Sequence, residues 1–94
     1  MKKGDLVLVR TRSAGVHVGS FKSRKGVEVE LMSARRLWRW RGANTLNEVA
    51  QSGVAEDWTR LSEPVTSILL TEAIEVIPVA LGARPSLTRS RWGA

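Results

Sequence analysis

Residues 27–41 read Val-Glu-Val-Glu-Leu-Met-Ser-Ala-Arg-Arg-Leu-Trp-Arg-Trp-Arg, two strand patterns placed back to back. Over 27–32, Val27, Val29 and Leu31 alternate with Glu28, Glu30 and Met32, the period-two signature of a strand with one buried face. Ser33 and Ala34 suggest a tight turn. Residues 35–41, read as a helix, would scatter charge all round the cylinder. Read as a strand, they put Arg36, Trp38 and Trp40 on one face and Arg35, Leu37, Arg39 and Arg41 on the other. A strand is therefore expected.

Toward the N-terminal side, residues 6–10 form a short apolar run, expected as a strand buried on both faces. Residues 11–15 (TRSAG) have turn chemistry, 16–21 alternate again, and 22–26 (KSRKG) read as a hairpin loop closed by glycine. Beyond residue 41 the period changes. Asn44 or Thr45 can cap a helix, and Thr45 with Glu48 has capping-box spacing. Leu46, Val49 and Ala50 fall on one helical face, and Gly53 is placed to end it. A polar connection containing Trp58 runs to Pro64. Residues 65–70 and 74–77 are further strand candidates, and 71–73 fits either a turn or a single helical turn. Residues 79–94 lose periodicity and turn basic, which predicts a loose tail after a single β-rich domain spanning 1–78. The expected fold class is α+β: a small antiparallel β-sheet or partly closed barrel of five to six strands with one short helix.

Ninety-four residues make a thin core, for which assembly into a homo-oligomer is a common remedy. The chain has no cysteine, so neither a disulfide nor a thiolate metal site is available. Its first apolar run is too short for a signal-peptide core or a membrane span, so a cytoplasmic protein without a membrane partner is expected. The net charge of +6 is unevenly spread. Residues 1–41 hold eleven Lys and Arg against three acids, whereas 42–83 hold only Arg60 against six acids. Such asymmetry directs anions to one part of the fold.

Catalytic chemistry is sparse. His17 is the only histidine, and Ser13 and Ser20 beside it lack the strand–turn–helix elbow of a serine nucleophile. No His/Asp/Glu cluster has metal-ligand spacing, and Glu72 and Glu75 read as a solvent face. A protein that is not an enzyme and carries no cofactor is expected. Binding chemistry is better represented. The 12–17 loop offers Arg12, the Ser13 hydroxyl, Gly15 and His17 to an anion, although it matches no phosphate-loop pattern and reads equally as a tight hairpin. Arg35 and Arg36 can grip phosphate, and Trp38 or Trp40 can stack on a base, while one of the tryptophans is expected in the core.

Three stretches together resemble a family of short phage and prophage proteins of unknown function. They are Val7 to Gly19 (VLVRTRSAGVHVG), Ala34 to Ala50 (ARRLWRWRGANTLNEVA) and Leu70 to Pro78 (LTEAIEVIP). The resemblance spans residues 5–78 and implies a phage accessory protein in a bacterial cytoplasm. By analogy with phage proteins that blunt host immunity, the expectation is a homo-oligomeric sponge for a small nucleotide-type anion, such as a cyclic nucleotide or cyclic ADP-ribose signal. Its pocket would use Arg12, Ser13, Gly15, His17, Arg35, Arg36, Trp38 and Trp40. The alternatives are a nucleic-acid-binding accessory protein and a module that docks an acidic protein partner.

Overall fold

A computed structural model describes residues 1–56 and 59–89. Trp58 and residues 90–94 of the expected tail lie outside them. The strands are β1 (Leu6–Thr11), β2 (Val16–Lys25), β3 (Glu28–Arg39), β4 (Arg60–Leu61), β5 (Val65–Leu70) and β6 (Ala73–Pro78). Helix α1 (Leu46–Ser52) lies between β3 and β4, and a 3-10 turn (Leu81–Ala83) leads into α2 (Arg84–Arg89). The sheet is antiparallel in the order β4-β3-β2-β1-β6, and β5 pairs with the first half of β3. It curls without closing: β5 and β6 are joined through Thr71 and Glu72 but share no ladder. This is the small α+β fold expected, with six strands and an open sheet.

β1 is buried on both faces, as its unbroken apolar run requires. Leu8 packs with Val18, Leu37, Val49 and Leu61 on the face covered by the helices. Val7 and Val9 pack on the opposite face with Val29, Leu31, Ala34 and Leu70. At the start of α1, the Thr45 hydroxyl accepts from the Glu48 N–H at 3.3 Å, and Glu48 reaches back to the Asn44 N–H at 3.2 Å. Gly53 ends the helix at φ 81°, and a side chain there would meet Ser86 Oγ.

Several expectations are corrected. No turn breaks the chain at Ser33 and Ala34, because β3 runs on for twelve residues. Ser33 instead takes a left-handed backbone, φ 49°. Val18 pairs with Arg35 and Ser20 with Met32, so Gly19 faces two residues, Ser33 and Ala34. This is a β-bulge, and it shifts the side-chain alternation by one. Leu31 and Ala34 consequently share one core, while Leu37 enters the other. The turn signal in Ser-Ala was real as backbone chemistry but was spent on a bulge. The 22–26 loop is largely strand as well, since β2 continues to Lys25 and only Gly26 and Val27 turn. Val27 is accordingly exposed, not aligned with Val29. Within the 54–64 connection, Arg60–Leu61 forms β4. Thr71 and Glu72 make a bend, and Ala73 already belongs to β6.

The largest correction concerns the tail. Ala83 and Leu87 are 0% exposed and complete the core beneath α1. Ser86 accepts from the Val54 N–H at 3.0 Å and donates to the Ala83 carbonyl at 3.2 Å, which ties α2 to the end of α1. Two apolar residues separated by polar ones were too weak a pattern to signal a six-residue helix. Leu87→Ala is therefore expected to cost about 2–5 kcal/mol in urea unfolding, as for a core leucine, where a loose tail would give a change near zero.

Candidate functional site

The β3 bulge decides which side chains reach the open end of the sheet. After it, Arg35 and Leu37 face the helices, and Arg36 faces the opposite side together with His17, its cross-strand partner on β2. There, two clefts adjoin. One, of about 380 Å³, is lined by His17, Arg35, Arg36, Ser62, Glu63 and Ile68 among others. The other, of about 170 Å³, lies between Thr11, Ser13 and Ala14 of the β1–β2 turn and the 68–72 segment. Arg36 and Ile68 line both clefts.

The two adjacent arginines have different work. Arg35 donates from Nε to the Ser62 carbonyl at 2.7 Å and from NH1 to the Thr88 carbonyl at 2.9 Å. It thus holds the β4–β5 connection and satisfies a carbonyl in the last turn of α2, where a cation is favoured. Burial lowers its pKa, but a guanidinium stays charged. Arg36 is anchored through its backbone: its N–H donates to Ser62 Oγ at 2.7 Å, and its carbonyl accepts from the Ser62 N–H at 2.9 Å. Its exposed side chain makes no ion pair and no hydrogen bond among the described residues.

His17 is 1% exposed at the base of the larger cleft. Its Nε2 lies 3.0 Å from the Ala14 carbonyl, which can only accept, so Nε2 carries the proton. Desolvation lowers the His17 pKa, the bond to Ala14 opposes that shift, and the Arg36 charge adds to it. The imidazole is consequently neutral near pH 7 and offers a ligand little of its surface. The turn before it is also self-satisfied. The Thr11 hydroxyl donates to the Gly15 carbonyl at 2.9 Å and accepts from the Ala14 N–H at 2.8 Å. The Arg12 N–H is bonded to the Glu72 carbonyl. The Arg12 and Ala14 N–H groups are therefore committed to the fold.

Of the expected site residues, the structure brings Ser13, His17, Arg35 and Arg36 to the two clefts. Arg12 and Gly15 lie in the adjoining turn, outside both linings. Trp38 and Trp40 do not share a face as the alternation implied. Trp38 is 45% exposed, whereas Trp40 lies beyond the end of β3 and packs against the helix-covered core. Glu63, Ile68 and Glu72 were missed, because only the folding of β5 beside the β1–β2 turn brings them to the site. Among the described residues, no group of three His, Asp or Glu is placed to hold a metal ion, and no helix is long and apolar enough to cross a membrane.

His17 has a pH consequence. Its folded pKa lies below the ordinary 6.5, so the unfolded chain binds the extra proton first as pH falls. The stability held above pH 6.5 is lost as pH drops from there toward the folded pKa. Thermal melts from about pH 7.5 to about pH 5.5 are expected to fall, and His17→Gln to flatten that part of the profile.

Comparison with curated proteins and with solved structures finds no match. A family model described as a domain of unknown function matches residues 4–87, from two residues before β1 to the buried Leu87 of α2. With all six strands, α1 and most of α2 inside that match, the chain belongs to the family Domain of unknown function (DUF6948).

Proposed function

We propose that the protein binds a small nucleotide-type anion in the paired clefts at Arg36, without catalysis. The observation that carries this reading is Arg36 itself: an exposed guanidinium, unpartnered among the described residues, at the junction of two clefts. A guanidinium so placed can take a phosphate through two parallel hydrogen bonds. The larger cleft has the volume of small-ligand sites, and Ile68 and Val65 give it an apolar wall for a base.

The acids sharpen the ligand class. Glu63 lines the larger cleft and Glu72 the smaller, both exposed. A bare inorganic anion meets repulsion from them. A nucleotide instead brings ribose hydroxyls and exocyclic amines that donate to carboxylates while its phosphate meets Arg36. Arg35 supports the site by holding Ser62, whose backbone and hydroxyl set Arg36. The resemblance to phage and prophage proteins makes cyclic nucleotide and cyclic ADP-ribose immune signals the first ligands to test, with sequestration as the biological outcome.

Calorimetry with a panel of mononucleotides, cyclic nucleotides, ADP-ribose derivatives and inorganic phosphate tests the proposal, and native mass spectrometry of the same samples reads the subunit count. At least one nucleotide is expected to bind, with inorganic phosphate weaker. Arg36→Gln is expected to weaken that binding at least tenfold, the scale of a lost charge-assisted hydrogen bond of about 1.5–3 kcal/mol, with melting unchanged. Silence across the panel, or equal binding by the parent and Arg36→Gln, would sink it.

A further inference from the structure

We propose that the free edge of β5 is a self-association surface, on which β5 of a second copy of this chain pairs antiparallel about a two-fold axis through Ser67. Among the described residues, β4, β5 and β6 each pair on one side only. Such edges offer unpaired backbone groups to other strands unless something blunts them. β4 is only two residues long, and β6 carries Glu75, Pro78 and a register shift opposite Arg10 and Thr11. β5 has none of these devices. Its six residues (VTSILL) include no charge and no proline, and its register against β3 holds from Val65 to Leu70. Ile68 and Leu70 turn to the core. Val65, Ser67 and Leu69 form the outer stripe, with Val65 49% and Leu69 55% exposed.

Hydrogen bonds alternate along an antiparallel ladder. Lys25 and Glu28 flank the two-residue turn at Gly26 and Val27 and so form a hydrogen-bonded pair. The N–H and C=O groups of Glu28 and Glu30 therefore point to β2, and those of Val29 and Leu31 to β5, where Leu70 and Ile68 meet them. Ser67 and Leu69 consequently turn their own N–H and C=O groups away from β3. No turn or loop hydrogen bond among the described residues uses them.

A second copy of β5 matches this edge in three ways. With Ser67 opposite its equivalent, the outward groups of the two serines pair with each other. Val65 of each copy then meets the other's Leu69, so the exposed apolar side chains become cross-strand neighbours. Charge favours the same place. A net charge of +6 sets two copies against each other, but residues 64–71 hold no ionisable side chain. In this register Glu63 lies opposite the other copy's Thr71, and Glu72 opposite its Ser62, so no like charges are opposed. One patch serving both sides closes the assembly at two. Val65 and Leu69 also line the clefts, so the added strand runs beside the candidate ligand site, but the pairing does not rest on that reading.

Sedimentation equilibrium of the ligand-free protein from about 1 μM to about 1 mM tests it. The mass is expected to rise from one chain to two and no further. Leu69→Lys puts a charge on the edge, and Ser67→Pro removes an N–H that β3 does not use; each is expected to weaken dimerisation about tenfold or more while circular dichroism keeps the β signal. A hydrogen-bonded pair brings its two Cα atoms to about 5.5 Å, within disulfide reach. In this cysteine-free chain, Ser67→Cys is therefore expected to cross-link under oxidised glutathione about tenfold faster than Ser52→Cys at the exposed end of α1. A single-chain mass at every concentration, a dimer undiminished in Leu69→Lys, or Ser67→Cys cross-linking no faster than Ser52→Cys overturns the proposal. With no ligand in these samples, a monomer here leaves the Arg36 reading standing, and silence in the calorimetry leaves the dimer standing.

Discussion

Gly19 sits where a Cβ would crowd its neighbours on β3. A Cβ there would lie 3.1 Å from both the Ala34 Cα and the Met32 carbonyl oxygen, and 3.2 Å from the Leu31 Cβ. That close approach of β2 to β3 accommodates the extra residue at Ser33, and the extra residue switches the faces of everything after it. Before the bulge, β3 gives Val29 and Leu31 to one core; after it, Leu37 goes to the other. One long strand therefore serves two apolar clusters. The same switch puts Arg35 and Arg36 on opposite faces of the strand, so both cores and the candidate site depend on this bulge.

Adjacent, like-charged residues on opposite faces show how environment divides labour. Arg35 is enclosed, and its N–H groups meet carbonyls that would otherwise be unsatisfied, so its value is structural. Arg36 keeps its side chain in water, where a charge costs nothing to maintain and remains available to a ligand. Two other cations of the basic half are less available. Lys22 pairs with Glu30 and Arg10 with Glu75, exposed pairs of small energetic worth that nonetheless mute the positive field. These two pairs offset part of the local charge excess.

Patterns with strong local causes were legible in the sequence. The unbroken run at β1 announced burial on two sides, and the capping residues located α1 almost to the residue. Arg36 and His17 were found because residue type alone marks them. Bulges were illegible, since they are set by what the neighbouring strand can tolerate, and Ser33 reads as any turn serine would. Helix α2 escaped for a related reason: a six-residue helix has no amphipathic period to detect, and its two apolar residues acquire meaning only from the groove that receives them. Glu63 and Glu72 belong to the site through tertiary placement, which no spacing in the chain encodes.

The double burial of β1 has a consequence for how the molecule comes into being. Its Val7 and Leu8 are made early during synthesis, yet their partners Ile77 and Pro78 on β6, and Leu87 on the second helix, emerge some seventy residues later. Contacts of such separation form slowly, because a long loop must close before they stabilise anything. Until then β1 has apolar side chains on both faces and one unpaired edge, the combination most prone to sticking to other chains. The nascent chain thus passes through a vulnerable interval whose length is set by translation, and slow codons between the third and sixth strands would prolong it.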